Sequence, residues 1–233
     1  MKQSKKNIIV HITKKYESLY SILSENSLRL SFSSENFYYN NKPVSKAAHP
    51  MVCFSEFDPR TINLQKITYG SYGIAFSKDW ARLNNIGPVL YVSQTSIAAK
   101  GMKELLIARR KTGDGMLPSN LRLSIMEVKS FMKNETGPNS SENTKNFDFK
   151  AENEWRFIPE KAAIRNYFIS QNQRTYKRNK DKHNERLKAF PLKFKSNDIV
   201  RIYVADQSEI SHLSNAFGLS KKLFAVSKWT EKR

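Results

Sequence analysis

The sequence predicts an α+β fold, with many short strands and with helices near the beginning and in the middle of the chain. Short apolar runs at 51–54, 89–92 and 199–204 are typical of buried strands. Apolar residues at helical spacing over 16–23 and from about 96 to 133 predict the helices. The two patterns are interleaved without any internal repeat, which favours a mixed fold.

Length and composition limit the class of protein. With 233 residues, 39% hydrophobic and 12% aromatic, the chain can bury a core and is not a disordered protein. We expect a single domain over 1–233. Within it we expect a helical insertion and loop at about 96–146 and a basic excursion at about 161–188.

The first third begins with a short apolar strand at Ile8–Val10 that ends at His11. Thr13 follows and is predicted to cap the first helix. The alternation at 28–32 predicts a strand. The stretch 33–48 is rich in Ser, Asn, Tyr and Lys without periodicity and is predicted to be a loop.

The middle third contains buried strands at 51–54, 74–76 and 89–92, with a helical turn at 78–84. Two apolar stripes predict helices between 96 and 133. The first consists of Ile97, Leu105, Leu106 and Ile107, and the second of Leu121, Ile125, Val128 and Met132. Residues 134–146 contain Gly137 and Pro138 among polar residues and are predicted to be a surface connection.

The stretch Phe149–Ile158 is predicted to be a strand with an acidic face. Glu152, Glu154 and Arg156 share one parity, whereas Trp155 shares the other with aromatic and apolar neighbours. Two adjacent carboxylates repel each other unless a cation or ligand compensates. The pair is therefore either a surface feature with Arg156 as its counter-charge or a functional site.

The last third combines a basic run at 161–188 with strands at 192–194 and 199–204. The run is predicted to be a mobile or helical, solvated segment. Ile210, Leu213 and Phe217 predict a short helix that Gly218 ends. Residues 223–226 are predicted to close the sheet.

The charge balance favours a polyanionic partner. The chain has 40 Lys and Arg against 21 Asp and Glu, a net charge of +19. No apolar run reaches the ~18 residues of a membrane span, and a single cysteine excludes an intramolecular disulfide framework. We expect a cytoplasmic protein without a membrane partner or a metal.

The order of several weak motifs resembles the ADP-ribosyltransferase fold, especially small bacterial members related to abortive-infection proteins. The motifs are a strand ending in His11-Ile-Thr13, a later strand ending in Ser55, a Tyr-Gly segment, and the late acidic pair. Residues 50–55, 69–74 and 152–156 are similar to the AbiGi family, an abortive phage-resistance family often labelled an antitoxin. The resemblance implies a split antiparallel β-sandwich with an N-terminal helix and a helical insertion.

The resemblance also implies NAD as substrate and assigns roles to residues. Glu154 would stabilise the oxocarbenium-like ribose, and Glu152 would orient or deprotonate the acceptor. The cofactor would be bound by a set of residues from the first third, namely His11, Thr13, Ser55 and either Tyr69 or Tyr72. The choice between the two tyrosines, and between the two glutamates, stays open.

Two basic segments are candidate nucleic-acid contacts because they can track a phosphate backbone. Their residues are Arg109, Arg110, Lys111, Arg174, Lys177, Arg178, Lys180 and Lys182. Tyr167, Phe168 and Tyr176 lie among the charges and offer stacking faces. An RNA or DNA acceptor is the expectation that follows.

Three functions fit these patterns. The first is an NAD-dependent ADP-ribosyltransferase that acts as a phage-defence or toxin–antitoxin effector and modifies nucleic acid. The second is a catalytically inactive antitoxin or nucleic-acid-binding regulator with a cognate protein partner. The third is a nuclease that uses Asp148, Glu152 and Glu154 to bind Mg²⁺. Among these three functions, the sequence favours the enzyme, an ADP-ribosyltransferase.

Overall fold

A computed structural model describes residues 7–65, 67, 70–139 and 143–229 and shows a mixed α+β fold. The described residues form seven α-helices: α1 Tyr16–Glu25, α2 Lys78–Leu83, α3 Ile97–Arg110, α4 Ser119–Ser130, α5 Gln173–Arg178, α6 Lys180–Leu187 and α7 Gln207–Phe217. They also form strands β1 Ile8–Thr13, β2 Ser27–Leu28, β3 Ser31–Tyr39, β4 Lys42–Phe57, β5 Tyr72–Ser77, β6 Ile86–Pro88, β7 Leu90–Val92, β8 Met132–Asn134, β9 Thr136–Asn139, β10 Thr144–Asp148, β11 Glu154–Phe157, β12 Gln171–Asn172, β13 Leu192–Lys193, β14 Ile199–Val204 and β15 Phe224–Val226.

The chain divides into two compact units. Unit 1 contains the described parts of 1–29, 52–86 and 191–233, and unit 2 contains those of 30–51 and 87–190. The expectation of one domain over 1–233 stays a prediction.

Unit 1 is built on a sheet with the strand order β15-β14-β5-β1-β4. β5 lies antiparallel between β1 and β14, and β15 joins β14 in parallel. Ile8 and Val10 of β1 and Tyr203 of β14 pack into one core with Ile62 and Trp229, which agrees with the prediction of apolar strands at both positions. α7 begins at an Asp206 capping box and ends at Gly218, whose φ of 63° suits the left-handed C-terminal position.

Unit 2 contains the hairpin of β3 with the first part of β4, up to residue 51, together with helices α3 to α6 and the short strands between them, while the last part of β4 belongs to unit 1. β3 and β4 pair antiparallel from Ser31↔Met51 to Tyr39↔Lys42, leaving only Asn40 and Asn41 in the turn. Both asparagines have positive φ, 46° and 58°, as a type I′ turn requires. The prediction of a loop over 33–48 is therefore wrong. The strand alternates exposed and buried side chains, but many of its outward residues are polar.

Several local predictions for the helices and the connection after them are also corrected. Thr13 ends β1, and the N-cap of α1 is Lys15, which provides no side-chain hydrogen bond. The predicted connection at 134–146 contains the β9–β10 ladder. In α4, Leu121 and Val128 of the predicted apolar stripe are exposed, because the helix buries the adjacent face with Ile125 and Met126.

The acidic stretch is shorter as a strand than predicted. Lys150–Glu152 form a 3-10 turn, and Asn153 adopts the left-handed conformation with φ 47°. β11 therefore begins only at Glu154. Glu152 and Glu154 are not two positions of one strand, although Glu154 and Arg156 do share a face.

Candidate functional site

The predicted carboxylates of unit 2 belong to a buried network of ion pairs centred on Arg156. Arg156 is 0% exposed and its guanidinium spans both oxygens of Glu154, with Nε to Oε1 at 2.8 Å and Nη2 to Oε2 at 2.9 Å. Its Nη2 also donates to Glu35 Oε1 at 2.6 Å, and its Nη1 donates to the Ser130 carbonyl at 2.6 Å. The guanidinium is thus surrounded by acceptors.

Lys133 extends the network to the second predicted glutamate. Its Nζ donates to Glu154 Oε2 at 3.0 Å and to Glu152 Oε2 at 2.7 Å, and lies 4.5 Å from the centre of the Phe149 ring. The structure therefore does bring Glu152 and Glu154 together, but through a shared lysine. Charges alternate in sign along the series Glu35, Arg156, Glu154, Lys133 and Glu152.

Hydrogen bonds to the backbone of β3 and β11 hold these side chains in place. The Asn134 side chain accepts from the Tyr38 N–H at 2.8 Å and donates to the Tyr38 carbonyl at 3.1 Å, which ties β8 to β3. The Glu154 N–H donates to the Tyr91 hydroxyl at 2.9 Å, and the Glu154 carbonyl accepts from Val89. Lys133 and Glu154 are consequently fixed by neighbouring strands rather than by mobile loops.

The electrostatics keep Glu154 ionised. Burial alone would raise the pKa of its carboxyl, but the charges of Arg156 and Lys133 outweigh this effect and lower the pKa to about 2. Burial opposes the charge of Lys133 as well, yet the carboxylates of Glu154, Glu35 and Glu152 hold its pKa above the ordinary value. At neutral pH the Glu154 carboxyl therefore has no proton to donate, and its charge faces two protein cations, Arg156 and Lys133.

A polar cavity of about 650 Å³ lies beside the network. Glu35, Lys133 and Glu152 line it together with Tyr38 and Phe149. Glu154 does not line this cavity. Its lining mixes charges of both signs, Glu152 already pairs with Lys133 and Glu35 with Arg156, and the exposed Lys177 adds one more cation, so the cavity indicates no particular ligand.

The predicted cofactor residues belong to unit 1. His11 Nδ1 donates to the Cys53 carbonyl at 2.9 Å, and burial lowers the pKa of this histidine. Thr13 lies opposite Tyr72 in the β1–β5 ladder, and Ser55 is buried opposite Val10. The Tyr72 hydroxyl donates to Glu209 at 2.8 Å, and burial with this contact raises its pKa to about 12. Tyr69 lies outside the described residues.

The predicted nucleic-acid contacts differ in exposure. Arg109 is half-buried and donates from Nε to the Arg122 carbonyl at 3.1 Å, while Arg110 donates from Nη2 to the Val44 carbonyl at 2.6 Å. The side chains that are exposed are those of Arg110, Lys111, Arg174, Lys177, Arg178, Lys180 and Lys182. The last five lie on α5 and α6.

Of the three aromatic residues expected to stack on bases, only Phe168 is available. It is 54% exposed, whereas Tyr167 and Tyr176 are buried. The Tyr176 hydroxyl donates to the Phe32 carbonyl at 3.0 Å, and the Tyr167 hydroxyl contacts His183 Nδ1 at 2.5 Å. The prediction that all three offer stacking faces is therefore wrong, because Tyr167 and Tyr176 connect α6 and α5 to the rest of unit 2.

The nuclease alternative depended on clustered acids. Asp148 is exposed and accepts from the Ala151 N–H at 3.2 Å, whereas Glu152 and Glu154 face Lys133. Within 7–65, 67, 70–139 and 143–229, no three His, Cys, Asp or Glu residues are arranged to bind a metal ion. No helix in this described part of the chain has the length and apolar character needed to cross a bilayer.

Sequence reasoning missed Glu35 and Lys133 of the network, and also Lys129, which is fully buried on α4. Glu35 lies 121 positions from Arg156, so no local spacing could relate them. The prediction for α4 missed Lys129 because it placed Leu121 and Val128 on the buried face, whereas both are exposed and Lys129 is buried. The spacing of Lys129, four positions after Ile125 and three after Met126, was the signal in the sequence that the buried face of α4 carries a charge.

The fold and site thus define an α+β protein whose acidic pair is held in structural ion pairs. The chain matches, over residues 27–205, the family described as "Putative abortive phage resistance protein AbiGi, antitoxin". It belongs to that family. No curated protein and no solved structure matches it.

The family corrects the first functional prediction. An ADP-ribosyltransferase effector is wrong for this chain, because the family that covers most of it is described as an antitoxin of phage resistance. The second prediction, an inactive antitoxin, is the one that the match supports. The ADP-ribosyltransferase-like sandwich and NAD binding stay predictions that no observation here tests.

Proposed function

We propose that this chain is a non-catalytic antitoxin that binds and neutralises a cognate toxin of an abortive-infection system. The observation that carries this proposal is the state of Glu154. A carboxylate that stabilises a developing cation must direct its charge at the substrate. Here Arg156 and Lys133 take up that charge inside the protein.

The exposed cations of α5 and α6 supply the proposed contact with the toxin. Five predicted contact residues of these helices carry positive charge into solvent, and the whole chain has a net charge of +19. An acidic toxin surface would complement them and would associate faster at low salt. A polynucleotide is less well supported as partner, since Tyr167 and Tyr176 are buried and cannot stack on bases.

Growth of a bacterial host tests the proposal. Expression of the chain alone is expected to be harmless, both as wild type and as Glu154→Gln. Expression of the toxin of its own system is expected to stop growth, and co-expression of the chain is expected to restore it. Growth arrest by the chain alone that disappears in Glu154→Gln would overturn the proposal.

A matched pair of variants tests the contact surface. Arg174→Gln with Arg178→Gln removes two exposed charges of α5 and is expected to weaken toxin binding by about tenfold at low salt. Lys14→Gln with Lys15→Gln removes two exposed charges of unit 1 and serves as control. Equal losses in both variants would indicate attraction by net charge rather than a surface on α5.

A further inference from the structure

Unit 2 has a second cavity with a different lining from the one beside the ion pairs. It has a volume of about 200 Å³ and lies between the end of α3, the first turns of α4 and the segment 161–170. Three cations line it, Arg109, Arg122 and Lys161, together with Ser119 and Ser170 and the wall residues Leu123, Met126, Phe168 and Ile169. No Asp or Glu is among its lining residues.

The three cations of this cavity have no acidic partner in the described chain. Arg109 donates to the Arg122 backbone carbonyl, which brings the two arginines together without neutralising either. Burial lowers the pKa of Arg109, and the nearby charges of Arg122 and Arg110 lower it further. Like charges held close together are destabilising unless an anion compensates them.

A buried histidine and a buried lysine lie behind the cavity wall, and the lysine adds positive charge. His49 Nδ1 bonds the carbonyl of the lining residue Ile169 at 3.1 Å, while its Nε2 has no hydrogen-bond partner among the described residues. Lys129 follows Arg122 by seven positions on the same face of α4, and its buried Nζ likewise has no hydrogen-bond partner in the part of the chain described. Burial and repulsion by Lys129, Arg156 and Arg109 lower the pKa of His49 to about 3.

We propose that this cavity binds the phosphate of a nucleotide, with the base resting on Phe168. Two guanidinium groups and an ammonium suit a phosphate better than a single carboxylate, because a phosphate offers more acceptor oxygens and more charge. The hydroxyls of Ser119 and Ser170 add two donors at the same cavity. Phe168 is 54% exposed at its wall and provides a flat face for a base.

The volume indicates how much of the ligand the cavity can hold. About 200 Å³ accommodates a phosphate and part of a sugar, so the base must lie at the rim, where Phe168 is exposed. A free nucleotide and the phosphorylated end of a nucleic acid share this chemistry. The proposal does not depend on the antitoxin function, since it concerns a different surface from the exposed charges of α5 and α6.

Calorimetric titration of the full chain in phosphate-free buffer tests the site. AMP is expected to bind at least about tenfold more tightly than adenosine, because only AMP carries the charged group. A 5′-phosphorylated oligonucleotide that binds more tightly than both AMP and the same oligonucleotide with a 5′-hydroxyl would identify a nucleic-acid end as the source, and weaker binding than AMP would identify a free nucleotide. Equal binding of AMP and adenosine, or no binding of either, would overturn the proposal.

Variants locate the binding within the cavity. Arg122→Gln and Lys161→Gln are each expected to weaken AMP binding by about tenfold, and Phe168→Leu should weaken AMP but not inorganic phosphate. Lys161 is exposed, so its variant keeps the test valid if Arg122→Gln does not fold. Lys145→Gln, an exposed charge away from the cavity lining, is the control. If the cavity variants match the control, or if an acidic peptide displaces AMP at equal concentration, the nucleotide assignment is wrong.

Discussion

Replacing Arg156 with methionine should destabilise the protein more than any surface substitution. The change keeps a long apolar stem but removes the guanidinium that contacts Glu154 twice, Glu35 once and the Ser130 carbonyl once. Both carboxylates are buried, so they would lose their main counter-charge without gaining water. Removing one member of such a buried pair costs about 3–5 kcal/mol.

That cost is a large share of the total stability of a domain, which is about 5–15 kcal/mol. Urea unfolding followed by circular dichroism measures it directly, with Arg174→Met on the exposed face of α5 as the matched control. The control should change the free energy of unfolding by less than about 0.5 kcal/mol.

A combined variant distinguishes the loss of ion pairing from the loss of packing in the free energy of unfolding. If the loss comes from the carboxylates that Arg156 neutralises, then adding Glu35→Leu and Glu154→Leu to Arg156→Met should restore part of it, with Lys133 still paired to Glu152. A single Arg156→Met substitution that costs less than about 1 kcal/mol would refute this reasoning. A combined variant no more stable than the single one would also refute it.

Two predictions concern ionisation. The pKa of Glu154 is about 2 in the folded state, below its ordinary value of 4.5, so ionised Glu154 stabilises the fold above pH 4.5 and this contribution is lost as the pH falls toward 2. Urea midpoints measured between pH 7 and pH 3 should fall more steeply for wild type than for Glu154→Gln, and parallel curves would contradict the assignment. Burial lowers the pKa of Lys129 to about 8, and its Nζ lacks a hydrogen-bond partner among the described residues. Lys129→Met should therefore stabilise the protein at pH 7 by about 1–3 kcal/mol. The control Lys145→Met, on an exposed lysine, should not change the stability. The advantage of Lys129→Met should shrink as pH rises from 8 to 10.5, where the wild-type lysine loses its charge in the folded state first; a gain independent of pH would mean that packing, not charge, is responsible.

Elements with dense apolar patterns could be predicted from the sequence because burial selects their residues directly. The predicted strand 199–204 is β14 with the same bounds, and Gly218 ends α7 as expected. The β3–β4 hairpin was not predicted because many of its outward residues are polar and its turn is Asn-Asn, not the commoner Asn-Gly.

The candidate site was predictable only in part. The shared parity of Glu154 and Arg156 predicted their contact, and Arg156 is indeed the counter-charge of Glu154, whereas Glu152 pairs with Lys133. Asn153 adopts the left-handed conformation and separates Glu152 from β11. The hydrophobic pattern does not predict this break in the strand. Lys133 and Glu35 come from other strands, and a long-range ion pair has no periodicity that a single sequence can show.

The sheet of unit 1 has a consequence for synthesis on the ribosome. β5 lies between β1, which precedes it by about sixty residues, and β14, which follows it by more than a hundred. Until β14 emerges, one edge of β5 has unpaired backbone N–H and C=O groups, and such an edge is a template for pairing with another chain. Unit 2 ends at residue 190 and can complete itself earlier. The nascent chain therefore spends most of its synthesis with this edge open, and a pause or a stop before residue 199 would leave a product prone to aggregation.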